Sequence, residues 1–337
     1  MIDNRYAKQI LFNKIGLEGQ EMISRSTVVV IGIGALGTVI SSQLCRAGVG
    51  HLILVDRDFV ELSNLQRQIL FNENDARLRL PKVVAAANKL REVNSEIIIE
   101  PVIADVTSRN IEQLILDADL ILDGNDNMEI RFLINDAAHK MHKPWIYGAA
   151  LGSEGMSMTV IPGETPCLRC LMPEAPQPGT MPSCDTEGVL SSITGIVASI
   201  QTAEALKIIT GNEPRRSLLH IDVWDGKFKE LTVHRRPGCV TCEKGEYEFL
   251  RETHTSWTTV LCGRNAVQIV PPHEDNIPLN ELQKRLERIG RTDFNGFVLT
   301  FETEGYDFTL FPTGRAIIRG TTDEAEARTL YSRFIGL

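Results

Sequence analysis

The sequence lacks several features that would assign it at once to a broad class of protein. It has no excess of positive charge: the formal net charge of its 337 residues is -9, which argues against a nucleic-acid-binding surface as its main role. Its first residues, MIDNRYAKQILF, lack a basic segment followed by an apolar one, so no secretory signal peptide is expected. No low-complexity stretch appears, and hydrophobic residues make up 43% of the chain, enough for a sizeable core in one large or two modest domains.

An uninterrupted hydrophobic run suited to a membrane is also missing. The most apolar stretch, residues 188–211, is interrupted by Gln201, Glu204 and Lys207 at three-residue steps, as on one face of a helix. We therefore expect a buried core helix and not a membrane span, in a cytoplasmic protein without membrane or nucleic-acid partners. Seven cysteines in such a protein need an explanation other than secretory disulfides.

Apolar, β-branched segments alternate with helical segments along most of the chain, the pattern of a doubly wound α/β sheet. The pattern predicts parallel strands at 27–33, 51–56, 96–105, 119–124 and 144–150, and helices at 35–48, 81–94, 110–118 and 127–141. Later strands at 155–162 and 218–234 are expected to be mainly antiparallel. We predict a Rossmann-like domain over residues 1–247 that continues into these antiparallel strands.

A second unit, a small α+β domain, is expected over residues 248–337. Its signals are an amphipathic helix at 278–290, three strands with Gly-containing turns within 296–320, and a closing helix with Thr322 as N-cap. It shows no catalytic constellation, and we expect Cys262 to be a small core residue.

A glycine-rich turn, VVVIGIGALGT, follows the first predicted strand and carries Gly32, Gly34 and Gly37 in G-x-G-x-x-G spacing. Between a strand and a helix, this spacing presents backbone N–H groups and a helix N-terminus to a phosphate. Asp56 follows the second strand, where an acid can accept hydrogen bonds from ribose hydroxyls. These residues leave open whether the ligand is NAD or another nucleotide.

Four of the cysteines form two C-x2-C pairs, CLRC (Cys167 and Cys170) and CVTC (Cys239 and Cys242). Two such pairs in an intracellular chain indicate a tetrahedral zinc site with four thiolate ligands. The 68 residues between the pairs suggest a structural clasp that joins distant segments, although unrelated pairs or redox dithiols remain the alternative. Cys184 follows a Pro- and Gly-rich segment just before a helix, where a thiol can be accessible and reactive or simply inert.

The segment DRDFVELSNLQRQILF and the residues after it favour a different chemistry from hydride transfer. A dehydrogenase has no need for Asn64, Arg67 and Gln68 in one segment. Arg67 and Lys82 could hold a triphosphate, and Asp126, just past a strand end, could ligate magnesium. This set suits nucleotidyl transfer. Each residue alone also has a purely structural explanation, such as helix capping by Asp126.

With these residues the chain resembles the ThiF/MoeB/HesA family, bacterial relatives of the ubiquitin-activating enzymes. The motifs that carry the resemblance appear in family order and cover residues 1 to about 245: RYAKQ, GIGALG, VDRDFVELSNLQRQ, PK, DGNDN…R, GAA…G, CLRC, C…GV, AEALK and PGCVTC. Within the family the chain is most similar to ThiF proteins with an appended C-terminal domain.

The resemblance implies an adenylyltransferase, that is, a nucleotidyltransferase that uses ATP and Mg²⁺ and contains structural Zn²⁺. Family members activate a small ubiquitin-like β-grasp protein that ends in Gly-Gly, such as ThiS or MoaD. The terminal carboxylate attacks the α-phosphorus, pyrophosphate leaves, and an acyl adenylate remains on the carrier. A sulfur donor such as a cysteine desulfurase then allows a thiocarboxylate to form, for thiamine-thiazole or molybdopterin biosynthesis.

The resemblance also implies roles for individual residues. Arg67 and Lys82 act on the phosphates, Asp126 ligates magnesium, and Cys184 matches the cysteine of a mobile crossover loop that bonds covalently to the carrier in some members. The implied nucleotide-binding residues are Gly32, Gly34, Ala35, Gly37, Asp56, Asp58, Ser63, Asn64, Leu65, Gln66, Arg67, Lys82, Asp126, Asn127 and Arg131. Cys167, Cys170, Cys239 and Cys242 match the family's zinc clasp.

Two positions depart from the family pattern. Lys8 stands where the family has an arginine that reaches the triphosphate of the neighbouring subunit, and lysine keeps the charge but loses the forked geometry. Ala35 replaces a further glycine and is small enough for the pocket to tolerate. The N-terminal segment carries Arg5 and Lys8 without a local acidic pocket, so we expect a homodimer. An NAD-dependent oxidoreductase and a non-catalytic scaffold that binds a β-grasp protein remain alternatives.

Overall fold

The computed structural model describes residues 5–176, 184–251, 258–261, 265–271 and 277–335. The chain divides into two compact units, Met1–Thr253 and His254–Leu337. Each unit has its own sheet and its own hydrophobic core.

The first unit is built on an eight-stranded sheet in the order β3-β2-β1-β4-β5-β6-β7-β8. Its strands are β1 (Thr27–Ile31), β2 (His51–Asp56), β3 (Ile98–Ile103), β4 (Leu120–Asp123), β5 (Trp145–Leu151), β6 (Glu154–Val160), β7 (Leu218–Asp222) and β8 (Lys227–Leu231). The first five are parallel, and β6 to β8 are antiparallel. The predicted Rossmann-like sheet with an antiparallel extension is therefore confirmed.

Helices cover both faces of this sheet. They are α1 (Ala7–Ile10), α2 (Gly16–Arg25), α3 (Ala35–Ala47), α4 (Glu73–Arg77), α5 (Lys82–Val93), α6 (Ile111–Leu114), α7 (Met128–Lys140), α8 (Leu168–Leu171), α9 (Cys184–Glu187) and α10 (Ser191–Ile209). Ile40, Val83 and Val197 bring α3, α5 and α10 into one core cluster, and Ile111 and Phe132 bring α6 and α7 into the other. The helix predicted at 110–118 is one short turn, and the strand predicted at 218–234 is the β7–β8 hairpin.

The apolar helix α10 is long and apolar enough to cross a membrane by length and composition. In the structure its inner face packs into the core of the first unit through Ile193, Val197 and Ala198. Two of the three polar residues noted in the sequence also point inward, since Gln201 is fully buried and Glu204 is 2% exposed, whereas the side chain of Lys207 is partly exposed. This packing is that of the core helix expected from the sequence.

The second unit is a six-stranded antiparallel sheet in the order β11-β12-β13-β14-β10-β9, with two helices. The elements are β9 (Thr258–Leu261), β10 (Ala266–Ile269), α11 (Leu279–Leu286), β11 (Arg291–Phe294), β12 (Leu299–Thr303), β13 (Tyr306–Leu310), β14 (Ala316–Arg319) and α12 (Glu324–Phe334). The N-cap predicted at Thr322 is wrong by one residue, because Asp323 Oδ1 accepts the backbone N–H of Ala325 and Glu326. Cys262 lies outside the described residues.

Candidate nucleotide site and metal centre

The glycine turn connects β1 to α3 and requires glycine for two different reasons. Gly32 has a φ of +89°, and a Cβ there would lie 2.7 Å from the backbone nitrogen of Asn125. A Cβ on Gly37 would lie 1.9 Å from the carbonyl oxygen of Gly32, so Gly37 lets the helix pack against the turn. Gly34 is the N-cap of α3 and is open, with Gly124 O 3.8 Å from the position of a Cβ. The N-terminus of α3 is thus presented where a phosphate can bind.

Asp56, at the end of β2, holds the glycine turn in place. Its Oδ2 accepts the backbone N–H of Ile33 at 2.7 Å, and its Oδ1 accepts that of Asp58 at 2.7 Å. Burial raises the pKa of this carboxyl above its usual value, although Lys82 acts in the opposite direction. Each carboxylate oxygen of Asp56 can accept a second hydrogen bond, so Asp56 can hold the turn and still accept a hydrogen bond from a ribose hydroxyl.

Lys82 begins α5 and is a buried cation beside this turn, with 6% of its surface exposed. Its Nζ donates to Asp58 Oδ2 at 3.2 Å, and its backbone N–H donates to Asp58 O at 2.9 Å. Desolvation disfavours the charge, but the carboxylates of Asp56, Asp58 and Asp126 outweigh it and raise the pKa of the ammonium group. Lys82 is therefore held charged next to the glycine turn, as an interaction with phosphate requires.

Residues 63–68 include exposed residues as well as residues that hold the local turn or pack against the core. Asn64 is buried, and its Oδ1 accepts the backbone N–H of Glu61 at 3.1 Å, so its amide fixes the turn. Arg67 donates to Ser63 O at 3.0 Å and stays partly exposed, while Leu65 packs against the core and Gln66 is exposed.

Gln68 is a further residue at the glycine turn that is absent from the nucleotide-binding set implied by the resemblance. It is 4% exposed, and its Nε2 lies 3.9 Å from the position that a Cβ on Gly34 would take. The sequence signal for it is its place in the same LSNLQRQ segment as Asn64 and Arg67.

The loop after β4 presents Asp126 to solvent. Its neighbour Asn127 caps α7: Asn127 Oδ1 accepts the backbone N–H of Glu129 at 2.8 Å and of Ile130 at 3.3 Å. The structural explanation that the sequence allowed for Asp126, helix capping, thus belongs to Asn127. Asp126 is left available as a cation ligand at the carboxyl edge of the sheet.

Arg131 lies beneath this loop, with 6% of its surface exposed. Its Nε donates to the fully buried Asp123 at 2.9 Å, and its Nη2 donates to Asn125 O at 2.7 Å and Gly148 O at 2.8 Å. Desolvation disfavours its charge, but Asp123 raises the pKa of the guanidinium above its usual value. Burial also raises the pKa of the Asp123 carboxyl, although Arg131 acts in the opposite direction. Arg131 thus holds the loop through its hydrogen bond to the Asn125 carbonyl. Its partner Asp123 was not predicted from the sequence.

The parallel strands bring these groups together, because the carboxyl ends of β1, β2 and β4 share one edge. Lys8 does not join them. Tyr6, two residues before Lys8, packs on Gly48 and accepts a hydrogen bond from Asn94. Gly48 and Asn94 precede the amino ends of β2 and β3, which lie at the opposite edge of the sheet. Lys8 itself is exposed. The expectation that Arg5 has no local acidic partner is wrong, since its Nε lies 3.7 Å from Glu96 Oε1.

The two cysteine pairs converge despite their separation in sequence. The four sulfurs of Cys167, Cys170, Cys239 and Cys242 lie within 4.8 Å of one another. Cys167 and Cys239 are 3.6 Å apart and Cys170 and Cys242 are 3.4 Å apart. Tetrahedral zinc with Zn–S bonds of about 2.3 Å needs sulfurs about 3.8 Å apart, so the cluster fits zinc with no open coordination position.

The local electrostatics favour the thiolate at Cys170 and the thiol at Cys167 and Cys242. The hydrogen bond from Cys167 lowers the pKa of Cys170 to about 4, and the backbone N–H of Arg236, 3.3 Å from the same sulfur, acts in the same direction. Burial and the neighbouring sulfurs raise the pKa of Cys242 to about 12, as expected for thiols crowded together without a cation. A bound metal cation would favour the deprotonated form of all four.

Helix α7 holds both halves of the cysteine cluster. Asn135 Oδ1 accepts the backbone N–H of Leu168 at 2.9 Å, next to the first pair. Asp136 accepts Thr241 Oγ1 at 2.8 Å and the backbone N–H of Phe249 at 3.0 Å, next to the second pair. Hydrogen bonds to α7 therefore position both segments without the help of a metal.

Of the three other cysteines, the structure describes the side chain of Cys45. Cys45 is fully buried in α3, and burial raises the pKa of its thiol to about 11, which matches an inert residue. Cys184 begins α9, but its side chain lies outside the described part of the structure.

Comparison with known proteins places these features in a family. The ThiF family model matches residues 6–241. The chain is 40% identical to the sulfur carrier protein ThiS adenylyltransferase of Bacillus subtilis (strain 168) over 98% of this chain and 99% of that relative. It is 38% identical to the SAMP-activating enzyme E1 of Haloferax volcanii over 74% of this chain and 92% of that relative.

Solved structures show the same fold at lower identity. Escherichia coli MccB with ATP has a TM-score of 0.64 and 21% identity, and the match covers 72% of this chain and 75% of MccB. The family match, which spans the glycine turn, Lys82, Asp126 and all but one of the four clasp cysteines, decides the assignment. The chain belongs to the ThiF family.

Proposed function

We propose that this protein adenylates the C-terminal glycine of a ubiquitin-like sulfur-carrier protein with ATP and releases pyrophosphate. The observation that carries the proposal is the convergence of the open Gly34 turn, the buried Lys82 and the exposed Asp126 at one edge of the sheet. Near full-length similarity to a ThiS adenylyltransferase supports ThiS as the carrier, with MoaD as the alternative. The product then serves thiamine-thiazole or molybdopterin biosynthesis in the cytoplasm.

The chemistry follows from this arrangement. The carrier carboxylate attacks the α-phosphorus of ATP, the bond to the bridging oxygen breaks, and pyrophosphate leaves with the electron pair. Lys82 and Arg67 stabilise the charge that develops on the phosphates. Mg²⁺ would be held by Asp126 and would neutralise phosphate charge. A sulfur nucleophile then attacks the carbonyl carbon of the acyl adenylate, the acyl–phosphate bond breaks and AMP leaves; a cysteine desulfurase is the expected source of the sulfur.

The direct test is ATP–pyrophosphate exchange with purified ThiS-type and MoaD-type carriers. We expect exchange that depends on one of these carriers and on its terminal glycine. Carrier binding without exchange would instead indicate a non-catalytic scaffold, and stabilisation by NADH but not by ATP would indicate an oxidoreductase.

We also propose that two copies form a homodimer through the outer face of α10. An apolar helix of this kind is normally covered on all sides, yet Ile196, Ile200 and Ala203 face a groove that also includes the exposed Phe228 (60%) and Ile69 (61%). A second copy related by a two-fold axis would cover this groove. In such a dimer, Lys8 would serve the nucleotide site of the second copy, since it lies at the opposite edge from its own.

Ala203→Glu should convert the dimer to monomers, because it places a carboxylate at the centre of the proposed interface. Sedimentation velocity at several concentrations measures the change. Gln113→Glu, which adds the same group at an exposed position of α6 on the other face of the sheet, is the matched control and should remain dimeric. A wild-type protein that is monomeric while it catalyses exchange at full rate would contradict the proposal.

Cys184→Ser should leave pyrophosphate exchange nearly unchanged, since the carrier carboxylate is the nucleophile of that step. If the thiol acts, it acts later, by attacking the adenylate carbonyl so that a thioester forms and AMP leaves, or by persulfide exchange. We expect a carrier adduct in non-reducing mass spectrometry that is lost in Cys184→Ser. Loss of exchange in this variant would place Cys184 in the first step, and full sulfur transfer would show that it is an inert loop residue.

A further inference from the structure

Gln201 of α10 is a fully buried amide that the proposed chemistry does not use. Its Nε2 donates to Asp123 O at 2.8 Å and to Ile146 O at 3.1 Å, across the ends of β4 and β5. Both partners are carbonyl oxygens, which only accept hydrogen bonds, so the orientation of the amide is fixed. Its Oε1 has no hydrogen-bond partner among the described residues.

The amide lies where two parallel strands separate. The ladder between β4 and β5 has two residue pairs, Ile121 with Trp145 and Leu122 with Ile146. Beyond these pairs, β4 turns into the loop that carries Asp126, while β5 continues beside β6. Buried carbonyls at such a separation need donors from elsewhere, because no ladder partner remains.

Side chains from both layers of the fold close this gap. Gln201 reaches it from the α10 face, and Arg131 reaches it from the α7 face with hydrogen bonds to Asn125 O and Gly148 O. A Cβ on Gly148 would lie 2.4 Å from the Gln201 amide, so the glycine of the GAA motif is required by the glutamine of the later helix. Two segments far apart in the sequence thus form one contact.

We infer that Gln201 is a positioning residue for the loop that carries Asp126 and thereby sets the affinity for Mg²⁺-ATP. The inference rests on the proposed function. Without the amide, the Asp123 carbonyl loses its donor and the loop can leave the geometry that aims Asp126 at the phosphates. A merely structural role would lower stability without a specific effect on the nucleotide.

Gln201→Met separates these possibilities because methionine fills a similar volume without donors. The change removes the unpartnered Oε1 but also leaves the buried carbonyl oxygens of Asp123 and Ile146 without this donor, so we expect a modest loss of thermal stability. We expect Mg²⁺-ATP binding about 5- to 10-fold weaker by equilibrium dialysis, the effect of losing roughly one net hydrogen bond. Thr202→Val is the matched control: Thr202 is also buried on α10, and its hydroxyl bonds within the helix to Ala198 O.

A double-mutant cycle with Gly148 tests the same role through a second variant, so the conclusion does not depend on Gln201→Met alone. Gly148→Ala should displace the Gln201 amide and weaken ATP binding to a similar extent, and the combination with Gln201→Met should be no worse than either single change. Additive losses, or ATP affinity within twofold of wild type in Gln201→Met, would overturn the role of Gln201. A wild-type protein that binds no ATP would refute the proposed function as well as this role.

Discussion

Asp126→Ala should abolish carrier-dependent ATP–pyrophosphate exchange while the protein stays folded. Asp126 is the exposed carboxylate just after β4, and its loop is held by Arg131 and Gln201 and not by Asp126 itself. The substitution therefore removes the proposed cation ligand without removing a hydrogen bond that holds the loop. Losing one electrostatic contact to a transition state typically lowers the rate by about 10²–10³-fold.

The measurement is exchange of labelled pyrophosphate into ATP at saturating carrier, with a thermal melt for each protein. Asp117→Ala is the matched control, because Asp117 is equally exposed but precedes β4 at the opposite edge of the sheet. We expect wild-type exchange in this control. Wild-type exchange in Asp126→Ala would remove Asp126 from the mechanism.

Zinc removal should cause the largest loss of stability. The four sulfurs already lie at the spacing of a tetrahedral site, and without a metal they crowd together with opposing effects on their pKa values. Structural zinc contributes about 10–16 kcal/mol of apparent binding free energy in small zinc-dependent peptides. If about 5 kcal/mol of such energy supports the first unit, chelation should lower its Tm by roughly 10–20 °C.

Elemental analysis should find about one zinc per chain in protein purified without chelator. Cys239→Ser should lose the metal and show the same drop in Tm as chelated wild type. Cys45→Ala is the control, since it removes a buried thiol outside the cluster and should keep the zinc. Wild-type protein that contains no zinc, or that melts unchanged after chelation, would refute a structural metal.

Local patterns were sufficient for the elements of the fold. The apolar runs of β1 and β2 and the periodicity of α3, α5 and α7 depend on neighbouring residues, so they can be read directly from the chain. The error at Thr322 has a local cause as well, because Asp323 is an equally good cap one residue later. The short α6 shows the limit of this reading, since the helix predicted at 110–118 forms only at Ile111–Leu114.

The chemistry of single residues was harder to predict, because it depends on partners that are distant in the sequence. Asn127 and Asp126 are adjacent and both polar, yet one caps α7 and the other faces solvent. Arginine is a residue type that often binds phosphate ligands, but Arg131 is buried and donates a hydrogen bond to Asp123. Spacing alone cannot distinguish these roles.

The sequence by itself determined that a glycine turn follows a buried strand, that two C-x2-C pairs suit zinc, and that the chain resembles the ThiF family. The tertiary structure decided which groups meet. Strand register and the two helical layers bring Gly148 against Gln201, Asp136 against Thr241, and Lys82 against Asp58. The physical reason is that hydrogen bonds and ion pairs act over about 3 Å, and only the packing of the sheet brings residues so far apart in the sequence within that distance.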